Sequence, residues 1–324
     1  MNVHKVKKYL EAHRSFLITS HIEPDGDAIG SSLAMSIFLE KLGKKAVILA
    51  PDPVPKRYQF LPRWREILYT EEQYKEEPDA AIVVDVGDIK RIGWIQGVLE
   101  RKELPILNID HHVSNKKYGD INYVDSTASS TSECLFDLFY KLEVIPDKDI
   151  SDCIAVGIIT DTGRFSFKNT TKKTFRICSA LAEYGSDFYE LSNYIYSNRS
   201  VHSIRLLSSV LSTVKVKDGI AFIQLTKKML KESGAKEEES EGFVNYILNI
   251  GDIKAAVFFR EKDGGKIRVS LRSKRDSIDV SEIASEFNGG GHSQAAGFRS
   301  KETVAKLEGD LLQSFRERYG HGKP

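Results

Sequence analysis

The sequence predicts an α/β fold: a mostly parallel sheet with helices on both faces, then a helical connector, then a smaller α+β domain. Three observations predict it. Strand-like and helix-like runs alternate through the first half with no hairpin turns between them. From Asp187 to Leu211 the pattern turns helical and polar. Beyond Thr213, Gly-containing turns separate paired strand-like runs. A chain of 324 residues suits two domains. The expected boundaries are 1–186, 187–211 and 212–324.

The elements follow in order. Ser15–Thr19 is a short apolar run of buried-strand type. Ala28 to Leu42 carries Ile29, Leu33, Ile37 and Leu42 at helical spacing and is closed by Gly43. Ala46–Ala50 is the next strand, followed by a loop holding Pro51, Pro53 and Pro55. Ala80–Asp85 and Pro105–Asp110 are further strands, while Ser130 to Leu142 and Ile150 to Thr160 read as helices. The second of these is apolar nearly all round, which predicts burial. In the last third, Asp218-Gly219 and Lys262–Gly265 separate two pairs of strands, at 213–217 with 220–224 and at 254–260 with 266–273. Helices are expected at about 226–233, 240–250, 279–287 and 301–318.

Composition excludes several classes. No window approaches the ~18 consecutive apolar residues of a membrane span. Met1 to Lys5 lacks the apolar core of a signal peptide. Cys134, Cys153 and Cys178 sit among apolar neighbours and read as reduced core residues of a cytoplasmic protein with no membrane partner. Lys+Arg is 47 against Asp+Glu 46, a net charge of +1. Long nucleic acid demands a basic excess, so a nucleic-acid substrate here would be short. Basic residues do concentrate locally: Lys254, Arg260, Lys262, Lys266, Arg268, Arg272, Lys274 and Arg275 face only Glu261 and Asp263.

The informative acids lie where apolar runs end. The first strand leads into His21, Pro24, Asp25, Gly26 and Asp27. In a locally extended stretch Asp25 and Asp27 would project to one side; the plain alternative is an acidic turn capping the next helix. Asp85 ends the third strand, Asp110-His111-His112 the fourth, and Asp161 the buried helix, where it opposes the helix dipole. Open α/β sheets bind ligands at their carboxyl ends. Carboxylates and imidazoles gathered there would repel one another unless cations were bound. The donor types suit Mn²⁺, with Mg²⁺ second, and several acids exceed the needs of one ion. In the last third, Arg268, Ser270 and Arg272 alternate onto one strand face. Gly289, Gly290 and Gly291 let backbone N–H groups approach an anion, and His292 can hydrogen-bond or stack. Ser129, Ser130 and Thr131 with Glu133, and Asn169 to Thr171, read as helix caps. Arg164 follows the last acidic motif and could reach a phosphate.

His21-x-x-Pro24-Asp25-Gly26-Asp27-Ala28, Val83-Val84-Asp85, Asp110-His111-His112 and Thr160-Asp161-Thr162-Gly163 resemble the four ordered motifs of the DHH phosphoesterase superfamily. Gly289-Gly290-Gly291-His292 with Ala295-Ala296-Gly297 resembles the signature of its DHHA1 companion domain. The resemblance spans essentially the whole chain and is greatest to the stand-alone nanoRNase/pAp-phosphatase and dinucleotide phosphodiesterase group. It implies that His21 and Asp25 bind one metal, that Asp27, His111 and Asp161 bind another, and that Asp85 bridges them. It also implies that His112 meets the substrate phosphate while Asp110 orients the histidines, and that the DHHA1 motif holds the nucleotide. The implied activity is Mn²⁺-dependent hydrolysis of short ribo-oligonucleotides and linear dinucleotides such as pApA to nucleoside 5′-monophosphates, with pAp as a further substrate. A cyclic dinucleotide (c-di-AMP) phosphodiesterase and a catalytically silent nucleotide sensor are the alternatives. A family II pyrophosphatase would carry a different C-terminal domain, and a RecJ-like exonuclease would be longer. A homodimer is left open as the assembly.

Overall fold

Strand β1 (Ser15–Thr19), between helices α1 (Val3–Ala12) and α2 (Gly26–Lys41), starts the sheet of the first unit in this computed structural model. The structure describes residues 2–73, 77–197, 199–274 and 278–320, and for His292 the backbone only. Next come β2 (Lys45–Ile48), β3 (Ala80–Val84), α3 (Ile95–Arg101), β4 (Ile106–Asp110) and β5 (Ile121–Val124). Helices α4 (Thr131–Lys141), α5 (Lys148–Asp161), α6 (Lys172–Glu183) and α7 (Phe188–Tyr196) follow. The chain divides into two compact units, Met1–Asn198 and Arg199–Pro324.

The first unit is a five-stranded sheet in the order β2-β1-β3-β4-β5, parallel at every pairing. Alternation in β1 and β3 explains its two layers. Phe16, Ile18, Ile82 and Val84 pack with α2, α4 and α5, whereas Leu17, Ala81 and Val83 pack with Ile95, Val98 and Leu99 of α3. The strand order reverses between β1 and β3, which opens a crevice at their carboxyl ends. The outer strand β5 and the helices α1, α3 and α6 are additions to the elements predicted above.

Two glycines set how closely the helices behind that crevice approach. A methyl group at Gly30 of α2 would run into the Cys153 carbonyl of α5, and one at Gly157 of α5 would strike the Ser132 hydroxyl. Gly30→Ala should therefore destabilise the fold by about 1–3 kcal/mol through overpacking. Thermal denaturation checks this, and an unchanged midpoint would contradict the close approach.

The second unit comprises α8 (Val201–Leu211), β6 (Lys215–Lys217), β7 (Ile220–Leu225), α9 (Lys227–Ser233) and α10 (Phe243–Leu248). It continues with β8 (Ala255–Glu261), β9 (Ile267–Ser273), α11 (Val280–Glu286), β10 (Gly290–His292), β11 (Ala295–Ser300) and α12 (Val304–Tyr319). Its sheet runs β10-β11-β9-β8-β7-β6, antiparallel except for β7 with β8. Both hairpins predicted from the Gly-containing turns are present, as β6–β7 and β8–β9. One sheet face packs on α11 and α12, the other on α8 and α10. The stretch read as a connector is two helices with different allegiances. Leu191 and Ile195 of α7 join the core of the first unit; Leu206, Leu207 and Val210 of α8 join the second. Cys134, Cys153 and Cys178 are buried and unbridged. Among the described residues no helix is long and apolar enough to cross a membrane.

Candidate metal centre

The crevice collects the acids and histidines from four places in the chain. His21 follows β1, Asp25 and Asp27 sit at the start of α2, Asp85 follows β3, Asp110 to His112 close β4, and Asp161 ends α5. The local geometry of Asp25 and Asp27 corrects the extended reading. The helix already begins at Gly26, and Asp25 is its N-cap, Oδ1 accepting from the N–H groups of Asp27 and Ala28 at 3.0 and 3.1 Å. Helical turning then sends the two carboxylates to different neighbours. Capping and clustering thus coexist at Asp25.

Three groups of ligand atoms, each within 4.8 Å of one another, result: His21, Asp25 and Asp85; Asp85, His111 and His112; and Asp27, His111 and Asp161. Asp85 and His111 each belong to two of them. His21 Nε2 lies 3.5 Å from Asp85 Oδ2 and 4.0 Å from Asp25 Oδ1. His111 Nε2 lies 3.7 Å from Asp85 Oδ1 and 3.3 Å from Asp161 Oδ2. Asp85 is 3% exposed and holds a left-handed backbone, φ 60°. Few side chains adopt that conformation, and aspartate is one that does.

The opposite ring nitrogens face backbone. His21 Nδ1 is 2.8 Å from the Ile22 carbonyl and His111 Nδ1 is 3.4 Å from the Ala128 carbonyl. A nitrogen bound to a carbonyl carries a proton, so each Nε2, which faces carboxylates here, would offer its lone pair to a cation that displaced the second ring proton. Lone pairs and carboxylate oxygens turned on a common point are the donor set of a cation. His112 differs: its Nδ1 is 2.6 Å from Asp110 Oδ1, and the other oxygen of Asp110 accepts from the Asn115 amide at 2.6 Å.

The charge balance fits the same group. Burial, then the charge of Asp85, pushes the Asp27 carboxyl up to about 7. Burial, then the charges of Asp27, Asp25 and Asp85, raises Asp161 well above the usual carboxylate range. Asp85 stays well below that range, because its bond to His21 and the three histidine charges outweigh its burial. For His21, His111 and His112, burial disfavours the charged ring, but the surrounding carboxylates outweigh it and hold all three above the usual imidazole value. Acids that raise one another in this way are relieved by a divalent ion.

Sequence reasoning missed the groups that aim these ligands. The N–H groups of Thr131 and Ser132, at the start of α4, donate to both oxygens of Asp27 at 2.7 and 2.9 Å. The Thr131 hydroxyl donates to Asp85 at 2.9 Å. The signal was present as a Ser/Thr run at a helix start, a place that binds carboxylates. Arg164 is exposed, with its guanidinium 4.5 Å from the Tyr196 ring centroid.

In the second unit Arg268, Ser270 and Arg272 share one face of β9, as the alternation predicts. Register adds two residues to them: Arg268 pairs with Arg260 of β8 and with Arg299 of β11, so three arginines form one cross-strand row. The glycines divide by role. A side chain at Gly289 would collide with the Gly297 carbonyl and one at Gly291 with that of Ala295, whereas Gly290 faces open space. The His292 side chain and Arg275 lie outside the described residues.

Acids and histidines at the switch point of a parallel sheet, joined to a second α/β unit with an arginine row, define a two-domain phosphoester hydrolase. A model of the DHH family, N-terminal domain, matches residues 15–158, and one of the DHHA1 domain matches residues 219–320. The chain is 36% identical to the bifunctional oligoribonuclease and PAP phosphatase NrnA of Thermus thermophilus, over 92% of this chain and 86% of the relative. It is 30% identical to the protein of the same name from Bacillus subtilis, over 89% and 90% of the two chains. The crystal structure of an exopolyphosphatase-related protein from Bacteroides fragilis superposes with a TM-score of 0.91 at 30% identity, covering 98% and 97%. The chain belongs to the DHH/DHHA1 phosphoesterase superfamily and, within it, to the NrnA-like group.

Proposed function

We propose that this protein hydrolyses short ribo-oligonucleotides and linear dinucleotides such as pApA to nucleoside 5′-monophosphates, and pAp to AMP, with two Mn²⁺ ions in the crevice. One observation carries the reading. Six ligand candidates, spread from His21 to Asp161, converge in groups that share Asp85 and His111. The names of the two relatives above support the substrate class.

His21 and Asp25 would hold one ion, Asp27, His111 and Asp161 the other, with Asp85 common to both. Bound there, the cations supply Lewis-acid activation of water and neutralise charge building at phosphorus. The chain's own groups do the rest. Asp110 fixes the His112 ring, so that its Nε2 meets a non-bridging or leaving oxygen of the phosphate. Mixed carboxylate and imidazole donors favour Mn²⁺ over Mg²⁺. In the second unit the arginine row and the open Gly290, together with Arg272, Gly289, Gly291 and His292, form the nucleotide seat, because arginine binds phosphate bidentately.

The test is a length series of end-labelled RNA and DNA, with pAp and c-di-AMP alongside, in Mn²⁺. The reading predicts fastest turnover of the shortest RNAs and of pApA. Preferred opening of c-di-AMP would assign the protein to the cyclic substrate instead, and tight binding without hydrolysis would make it a sensor. His292→Ala should slow pApA cleavage about tenfold while affecting an aryl phosphodiester far less, since the latter needs only the metal centre. Equal losses on both would remove the substrate-holding role.

A further inference from the structure

The segment 128–132 touches three ligand candidates at once. The Ala128 carbonyl meets His111 Nδ1, the Thr131 and Ser132 N–H groups hold Asp27, and the Thr131 hydroxyl holds Asp85. Its opening serine-rich stretch first reads as a simple cap, and Ser130 does cap α4, its hydroxyl accepting from the Glu133 N–H at 3.0 Å. The remaining contacts serve the metal centre.

Two side chains hold this segment from behind. Asn169 Nδ2 donates to the Ser129 carbonyl at 2.8 Å and to the Asp161 carbonyl at 3.1 Å. Two acceptors on one side settle the amide orientation, because only the nitrogen can serve both. Asn169 is therefore no cap; Thr171 caps α6, in a reciprocal pair with Thr174. Asn169 instead ties the loop before α4 to the end of α5, and these two carry or aim Asp27, Asp85, His111 and Asp161. Glu133, 0% exposed, accepts from the Ser129 hydroxyl at 2.7 Å and the Thr174 hydroxyl at 3.0 Å, with Lys173 Nζ 3.3 Å away. A carboxylate so buried persists only when satisfied. Its partners join the same loop to α6.

We propose that Asn169 is a positioning residue of the metal centre, acting with Glu133 to lock the segment Ala128–Ser132 so that Asp27, Asp85, His111 and Asp161 stand in register before a cation arrives. The inference rests on the cation-binding reading above. Carboxylates held together repel one another, and a loosened segment lets them relax apart, so the cost falls on metal binding. Groups that orient ligands in this way are typically worth about 10–100-fold in metal affinity.

The test uses the full-length protein stripped of metal and titrated calorimetrically with MnCl₂. Asn169→Ala should bind Mn²⁺ about tenfold more weakly. At saturating Mn²⁺ its KM for pApA should stay within about twofold of the parent, with kcat largely restored by excess metal. Thr131→Val should weaken Mn²⁺ binding too, and the double variant should lose less than the sum of the singles, because both act through one segment. Should Asn169→Ala not fold, Asn169→Asp keeps the volume, removes the donor and is read in the same way. Parental Mn²⁺ affinity in the Asn169 variant, or strict additivity with Thr131→Val, overturns the positioning role alone. A parent protein that binds no Mn²⁺ overturns the role and the cation reading together.

Discussion

Asp85→Ala is expected to lower turnover of every phosphoester substrate by about 10³-fold or more, at any Mn²⁺ concentration. The size follows from position. Asp85 is the carboxylate common to two ligand groups, with His21, His111 and His112 at 3.5, 3.7 and 3.7 Å. It stands on a left-handed turn at the end of β3, and the Thr131 hydroxyl fixes one of its oxygens. Alanine removes the charge that three histidines surround and leaves those rings without their shared partner. A substrate-holding residue would fail differently, with a loss that depends on the substrate. Initial rates on pApA, pAp and an aryl phosphodiester check the prediction, and near-parental Mn²⁺-dependent rates on any of them would refute the shared role.

The second large effect is expected at Asp110. Its side chain is wholly buried and divides its oxygens between His112 Nδ1 and the Asn115 amide. Asn115 also donates to the Asn108 side-chain oxygen, and the Asn108 amide nitrogen in turn donates to the Tyr118 hydroxyl and the Val86 carbonyl. The carboxylate therefore has two donors and no freedom to turn. Asparagine at 110 must set its amide nitrogen against one of them, so either the His112 ring or the Asn115 side chain loses its partner. Asp110→Asn should lower kcat by roughly 10–100-fold, the range for residues that orient a functional histidine. The KM for pApA and the Mn²⁺ affinity should change little, because Asp110 is in none of the three ligand groups. A fall in Mn²⁺ affinity as large as the fall in kcat would place Asp110 among the ligands instead.

Much of this architecture was legible from pattern alone. Alternating apolar runs marked β1, β3 and β4, and an acid at the end of each run marked the crevice. Two hairpins in the second unit followed from their glycine turns. Most of what escaped had identifiable physical causes. Strand β5 is four residues long and buries only Tyr123, too short a run to show a period, whereas α6 does place Thr174, Ile177, Cys178 and Leu181 at helical spacing, a signal that was present in the sequence and passed over. Asp25 and Asp27 were read as extended neighbours, because Pro24 and Gly26 suggest a turn; the Asp25 side chain, by capping, starts the helix one residue later and separates them. Thr131 and Asn169 act on acids 46 and 8 positions away in sequence, through bonds that only the folded chain creates. Arg299 joins Arg268 by strand register, which no local motif encodes.

The most direct measurement is anomalous diffraction at the manganese absorption edge from crystals soaked in MnCl₂. Two peaks per chain are predicted, one against His21, Asp25 and Asp85, the other against Asp27, His111, Asp161 and the same Asp85. A single peak, or manganese bound away from these side chains, would contradict the two-cation account.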